Sequence, residues 1–182
     1  WPKGPVGLEF PIDLFLDAIL PAPTYLATAY HGPNAHYVER WRGDDTPQPM
    51  TSGGDPRLIE KAVRLIYEAK RPLIYAADGV HWSEGGPALQ EFCEMAQVPV
   101  CTRRIARGAI PETHPLHLMF GTAKRIDPES DLVIPIGMKV GTFDGHGRGW
   151  SRCLQINESP AHIWHYLKNT EVAIVGTPAV VL

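Results

Sequence analysis

Five short apolar runs, each separated from the next by turn signals or helix-length sequence, constrain this chain more than any other feature. They are Leu73-Ile74-Tyr75-Ala76-Ala77, Pro99-Val100-Cys101-Thr102, Asp131 through Gly137, Cys153-Leu154-Gln155-Ile156-Asn157 and Val172 through Gly176. Runs of four to six apolar residues without polar alternation suit strands buried on both faces, and antiparallel sheets with one wet face do not read this way. Strands that alternate with helices build βαβ units. The pattern therefore predicts a doubly wound α/β fold: a mostly parallel, Rossmann-like sheet with helices on both faces.

The intervening segments agree with that prediction. Asp55 followed by Pro56 is an N-cap with proline at the first helical position. Leu58, Ile59, Ala62, Val63, Ile66 and Ala69 then mark one apolar face up to Lys70. Residues 83–96 read as a second helix facing inward through Leu89, Phe92, Cys93 and Ala96. A loop around Gly108 to Pro115 precedes a short helix starting near Gly121, and residues 160–167 read as another short helix. Gly141 to Gly149 is a glycine-rich loop.

The first 54 residues break this rhythm. In residues 4–13, Val6, Leu8, Phe10 and Ile12 alternate with Gly7, Glu9, Pro11 and Asp13, the signature of a strand with one apolar face. Residues 21–54 hold five prolines and four glycines without periodicity, the composition of a linker. The expected organisation is a strand remnant of a preceding domain (1–20), a linker (21–54) and the sheet domain (55–182). A start at Trp1 and an apolar finish at Ala179-Val180-Val181-Leu182 suggest that both ends are cuts in a longer polypeptide. A strand cut from its own sheet needs a partner, so residues 4–13 are expected to dock on another copy of the chain rather than join the 72–176 sheet.

Composition excludes several function classes. A net charge of -3 offers no basic field for nucleic acid. No apolar stretch approaches the roughly 20 residues of a membrane span. Cys93, Cys101 and Cys153, odd in number and widely spaced, fit neither a disulfide framework nor a zinc ribbon and suggest a reducing, cytoplasmic setting. No Gly-x-Ser-x-Gly elbow and no phosphate loop ending in Gly-Lys-Ser or Gly-Lys-Thr occurs. After the first strand, Asp78-Gly79-Val80-His81-Trp82 departs from the dinucleotide fingerprint, with Asp78 placing negative charge where a pyrophosphate would sit.

In doubly wound sheets ligands bind beyond the carboxyl ends of the strands. Those ends are Asp78-Gly79, Thr102, Gly137-Met138-Lys139 and Asn157-Glu158. Arg103, Arg104 and Arg107 form a basic cluster just past one of them, suited to phosphates or equally to a solvated loop or domain contact. Asp144, His146 and Arg148 lie in the glycine-rich loop without forming an acid–base pair. His114 with His117, and His162 with His165, have a spacing open to a metal but read as ordinary loop histidines, because no cysteine or carboxylate set accompanies them. No catalytic residue and no metal ligand emerges.

The order of segments resembles that of thiamine diphosphate-dependent enzymes of the acetolactate synthase-like group. Gly4 through Asp13 resembles the close of their N-terminal, pyrimidine-binding domain. Arg71-Pro72-Leu73-Ile74, Val98 through Thr102, Gly108-Ala109-Ile110-Pro111-Glu112-Thr113-His114-Pro115-Leu116 and Ser130 through Gly137 then resemble successive parts of the central domain. The group includes 2-hydroxyacyl-CoA lyases and oxalyl-CoA decarboxylase. The resemblance implies a central domain of about six strands that carries no catalytic residue. Thiamine diphosphate and magnesium would be held by the flanking pyrimidine and pyrophosphate domains. The parent would be a homo-oligomeric, cytoplasmic lyase or transferase acting on a 2-oxo acid or 2-hydroxyacyl substrate.

Central domains of this group hold FAD or ADP, or are empty. Gly79, Thr102, Gly108, Gly121, Gly137, Lys139 and Asn157 are the implied lining positions here for ADP, CoA or FAD. Asp78, and Lys139 where FAD-binding members carry arginine, put FAD below the other two: lysine keeps the charge but loses the bidentate fork. The alternative is a stand-alone adenine-nucleotide-binding module of the same fold; a sirtuin-like version lacks its zinc cysteines.

Overall fold

The computed structural model describes residues 51–164 and 167–182. The strand expected in 4–13, its docking, most of the linker, and His165 lie outside the described residues. Five strands form one parallel sheet: β1 (Pro72–Ala76), β2 (Val100–Thr102), β3 (Leu132–Ile136), β4 (Cys153–Asn157) and β5 (Thr170–Val175), in the order β2-β1-β3-β4-β5. The chain thus runs outward from β1 to β2, then returns to the other side of β1, and the topological switch point lies between β1 and β3. Five of the about six strands implied by the resemblance occur among the described residues.

Burial explains the unbroken apolar runs. Ile74, Ala76, Ile134, Ile136, Leu154 and Ile174 point to one face, which is covered by α1 (Pro56–Glu68) and α3 (Gly86–Ala96) through Leu58, Ile59, Ile66, Phe92 and Ala96. Leu73, Tyr75, Val133 and Cys153 point to the other, with Trp150 and Leu167, against α4 (Phe120–Ile126) through Ala123 and Ile126. β1 residues alternate between two cores, so both faces of the strand are packed and a polar side chain there needs a partner within the fold, as Tyr75 finds in Asp127.

Pro135 occupies the centre of β3, where proline is disfavoured. The Val133 N–H donates to the Arg152 carbonyl and the Gly137 N–H to the Ile156 carbonyl, so the missing donor falls between them on the β4 side. Val133 pairs with Cys153 and Ile136 with Ile156, so the β3–β4 register is the same on both sides of Pro135.

Three details differ from the sequence reading. Val63 is 45% exposed while Leu65 is buried, so the inward face of α1 is rotated from the one expected. The helix expected from Ser83 starts only at Gly86, as α3, because Glu84 turns left-handed at φ 55° and Pro87, without an N–H, belongs in a first helical turn; a separate short helix that the sequence reading did not expect, α2 (Asp78–Trp82), precedes it. Of the helix expected over 160–167, the described part is a single 3₁₀ turn, Pro160–His162. The described unit starts at Thr51: the Ser52 N–H donates to Thr177 Oγ1 at 3.1 Å, and the Thr177 N–H to the Ser52 carbonyl at 2.8 Å.

Candidate functional site at the carboxyl edge of the sheet

The two glycines at the switch point face each other. The Gly79 N–H donates to the Gly137 carbonyl at 2.9 Å, and a Cβ on either residue would come within 2.6 Å of the other's Cα. Gly137 also has φ +59°, which L side chains adopt only with strain. Both glycines are therefore required by the approach of α2 to the β3 turn, whatever else binds there.

Two further implied lining residues are engaged within the protein. Thr102 Oγ1 lies 3.1 Å from His117 Nε2. Asn157 is buried, donating through Nδ2 to the Met138 carbonyl and accepting the Ser159 N–H at Oδ1. Lys139 is exposed on the rim beside Ala77 and Arg104. Gly108 sits in an exposed turn and Gly121 in the exposed first turn of α4, and nothing lies within 4 Å of where their Cβ atoms would be. Structure thus brings Gly79, Gly137 and Lys139 together at the switch point and holds Gly108 on the wall of a separate depression with His81 and Ile105.

Arg103 and Asp144 dominate the edge. The Arg103 N–H donates to the Ala76 carbonyl at 2.8 Å, which continues the β1–β2 ladder and fixes where the side chain starts. Its guanidinium stacks 4.2 Å from the Phe120 ring centroid and pairs with Asp144, which is 1% exposed. Asp144 also accepts the Gly141 N–H at 3.0 Å. Burial pulls the Arg103 guanidinium below its ordinary value. Between Ala77, Arg103, Arg104, Met138, Lys139 and Asp144 no space remains for a water molecule. The switch-point crevice is closed by the protein's own ion pair.

Beyond β2 a cleft of about 210 Å³ opens, lined among others by Arg103, Arg104, Arg107, His117 and Phe120. Its arginines are paired: Arg104 with Asp78 at 3.2 Å and Arg107 with Glu112 at 2.8 Å. One oxygen of Asp78, Oδ1, is buried without a hydrogen-bond partner. The cleft is smaller than the roughly 300–1,000 Å³ typical of whole-ligand sites.

Residues 59–182 match the family described as "Thiamine pyrophosphate enzyme, central domain". The chain belongs to this family of central domains. It is 37% identical to a probable acetolactate synthase large subunit of Methanococcus aeolicus, over 72% of this chain and 24% of that protein. It is 36% identical to the acetolactate synthase large subunit of Corynebacterium glutamicum, over 69% and 22%. Oxalyl-CoA decarboxylase of Escherichia coli is 30% identical over 59% and 20%. The chain thus spans less than a quarter of each of these relatives. A solved structure from Mycobacterium smegmatis, assigned as a thiamin diphosphate-dependent enzyme, shares the fold with TM-score 0.58 and 22% identity, over 77% of this chain and 29% of that one.

Several other ionisable residues are engaged within the fold. Among the described residues no three of His, Cys, Asp or Glu converge as metal ligands. Asp127, 2% exposed, accepts from Tyr75 Oη at 3.2 Å, Trp150 Nε1 at 3.1 Å and Lys124 Nζ. Desolvation, with the Asp127 charge second, pushes the Tyr75 phenol well above its ordinary range. His114 accepts the Leu116 N–H and meets Glu94, while His117 turns to Thr102, so that pair does not converge on one point. The Arg103–Asp144 pair escapes sequence reasoning because its halves lie 41 residues apart in loops of no fixed geometry. The usable signal is that both loops follow strands that neighbour β1 in the sheet.

Proposed function

We propose that this chain is the non-catalytic central domain of a thiamine diphosphate-dependent, acetolactate synthase-like enzyme that forms or cleaves a carbon–carbon bond beside a carbonyl. The match over residues 59–182, in company with acetolactate synthase and oxalyl-CoA decarboxylase relatives, carries this reading. The flanking pyrimidine and pyrophosphate domains would hold thiamine diphosphate and magnesium. Thiamine diphosphate supplies the carbanion chemistry in such enzymes. The substrate would be a 2-oxo acid or a 2-hydroxyacyl compound, and the parent a cytoplasmic homo-oligomer.

The second reading, a nucleotide-binding role for the domain, is favoured by the arginine cluster and Lys139 at the carboxyl edge. Gly79, Thr102, Gly108, Gly121, Gly137, Lys139 and Asn157 remain its proposed lining, with ADP or CoA ahead of FAD. Lys139→Ala should then weaken ADP binding, more at low salt than at high salt.

Calorimetric titration of the 182-residue chain with thiamine diphosphate and magnesium tests the first reading. The expected result is no stoichiometric binding; one cofactor bound per chain would overturn the assignment of domains.

A further inference from the structure

A buried ion pair at the place where this kind of sheet binds ligands needs a reason. Arg103 leaves the end of β2 with its backbone tied to Ala76, and its side chain is 11% exposed between Phe120 and Asp144. Its partner arrives from the loop joining β3 to β4. Within Thr142–Gly147 that loop buries only Asp144 and Gly147, leaves Phe143 80% exposed, and takes left-handed conformations at Gly145 and His146. A segment with so little apolar burial has low local stability. Asp144 ties this loop to Arg103 and accepts the Gly141 N–H.

We propose that Asp144 is a resident counter-anion over a latent anion site, and that a pyrophosphate or phosphate-ester group displaces it from Arg103. This proposal rests on the nucleotide-binding reading above and specifies which group must move for it to operate. Neither member of a buried pair can be left alone, so Arg103 requires an anion at all times. A phosphate-type ligand satisfies Arg103 as Asp144 does, and it can also attract Lys139 and Arg104 on the rim of the same crevice. Arg104 can contribute, since its contact with Asp78 is half exposed and worth little. The released carboxylate regains water, and the 141–147 loop regains its freedom. The exchange trades one ion pair for another, so the site is closed in the ligand-free protein and opens by competition.

The test titrates inorganic pyrophosphate, and separately ADP, into the full 182-residue chain as wild type, Asp144→Asn and Asp144→Asn/Arg103→Gln, each checked for folding by circular dichroism. The substitution Asp144→Asn keeps the side-chain shape and removes the charge. D144N should bind pyrophosphate at least tenfold more tightly than wild type, and the added Arg103→Gln should abolish the gain. Equal affinity in wild type and D144N, no binding by folded D144N, or a gain that survives Arg103→Gln would each overturn the proposal. ADP binding to wild type that D144N leaves unchanged would overturn it while sparing the nucleotide-binding reading. A measurement that needs no variant is hydrogen exchange on wild type: pyrophosphate should speed exchange at Gly141 and across 142–147, and chloride at equal ionic strength should not. Unchanged exchange in excess pyrophosphate counts against the proposal as well.

Discussion

Replacing Gly137 by alanine separates a packing role from a ligand role for the switch-point glycines. The new Cβ would lie 2.6 Å from Gly79 Cα and 2.8 Å from the backbone nitrogens of Gly79 and Val80. All three are backbone atoms, so no side chain can swing aside, and α2 must retreat from the β3 turn. That retreat stretches the 2.9 Å hydrogen bond from the Gly79 N–H to the Gly137 carbonyl, a bond worth about 1 kcal/mol net. A non-glycine residue at φ +59° adds about 1–2 kcal/mol, and overpacking adds about 1–3 kcal/mol. Gly137→Ala should therefore cost about 3–6 kcal/mol out of the roughly 5–15 kcal/mol of a typical domain.

Gly79→Ala meets the same obstacle from the other side, but Gly79 has an ordinary helical backbone, and alanine recovers about 1 kcal/mol of helix propensity. Its cost should be smaller, about 1–3 kcal/mol. The double variant should cost less than the two singles together, because one displacement of α2 accommodates both methyl groups. Urea unfolding of the chain without added ligand measures all three. With a slope of about 1–3 kcal/mol per molar, Gly137→Ala should lower the midpoint by about 1 M or more. Midpoints matching wild type for both single variants would refute the packing argument and return these glycines to a ligand.

Asp127→Ala should cost about 3–5 kcal/mol, because it orphans the buried Tyr75 hydroxyl and Trp150 indole N–H; urea unfolding followed by Trp fluorescence checks it, and a loss under about 1 kcal/mol would contradict the role assigned to Asp127. Burial raises the Cys93 and Cys153 thiols to about 12 and the Cys101 thiol to about 11, the last despite the opposing pull of Arg103 and Arg107. All three should resist a thiol-specific reagent under mildly alkaline conditions until the protein unfolds, and rapid labelling of native protein would contradict this. Burial works to raise the Asp131 carboxyl, but the N–H groups of Lys70 and Arg71, at 2.7 and 2.8 Å, more than offset it and hold it below the ordinary range. A depressed folded value means stabilisation that is present above the unfolded value of about 3.9 and lost as pH falls through the folded value. Stability measured across the acid range should therefore fall less steeply in Asp131→Asn than in wild type.

What the sequence revealed and what it hid follow from the range of the interactions involved. The strands were legible because residues pressed between two helical layers are mostly apolar on both faces, and Leu73 through Ala77 or Leu132 through Ile136 carry that demand locally. The start of α1 was legible for a similar reason, since Asp55 caps its own helix by accepting the Arg57 N–H two residues away. The break at Glu84 was hidden, although Gly85-Gly86-Pro87 signalled it, because apolar spacing from Leu89 to Ala96 says nothing about where a helix starts. Long-range polar contacts left no local trace at all. Gly79 and Gly137 each end a strand, as many glycines do, and only the parallel pairing of β1 with β3 sets them against each other. Asp144 in a glycine-rich loop carried the same composition as a solvated carboxylate. Its burial depends on Arg103, whose position depends on the pairing of β2 with β1. Sheet order is thus the missing quantity: given β2-β1-β3, the two loops leave the strands on either side of β1, and the opposite charges they carry meet over its end.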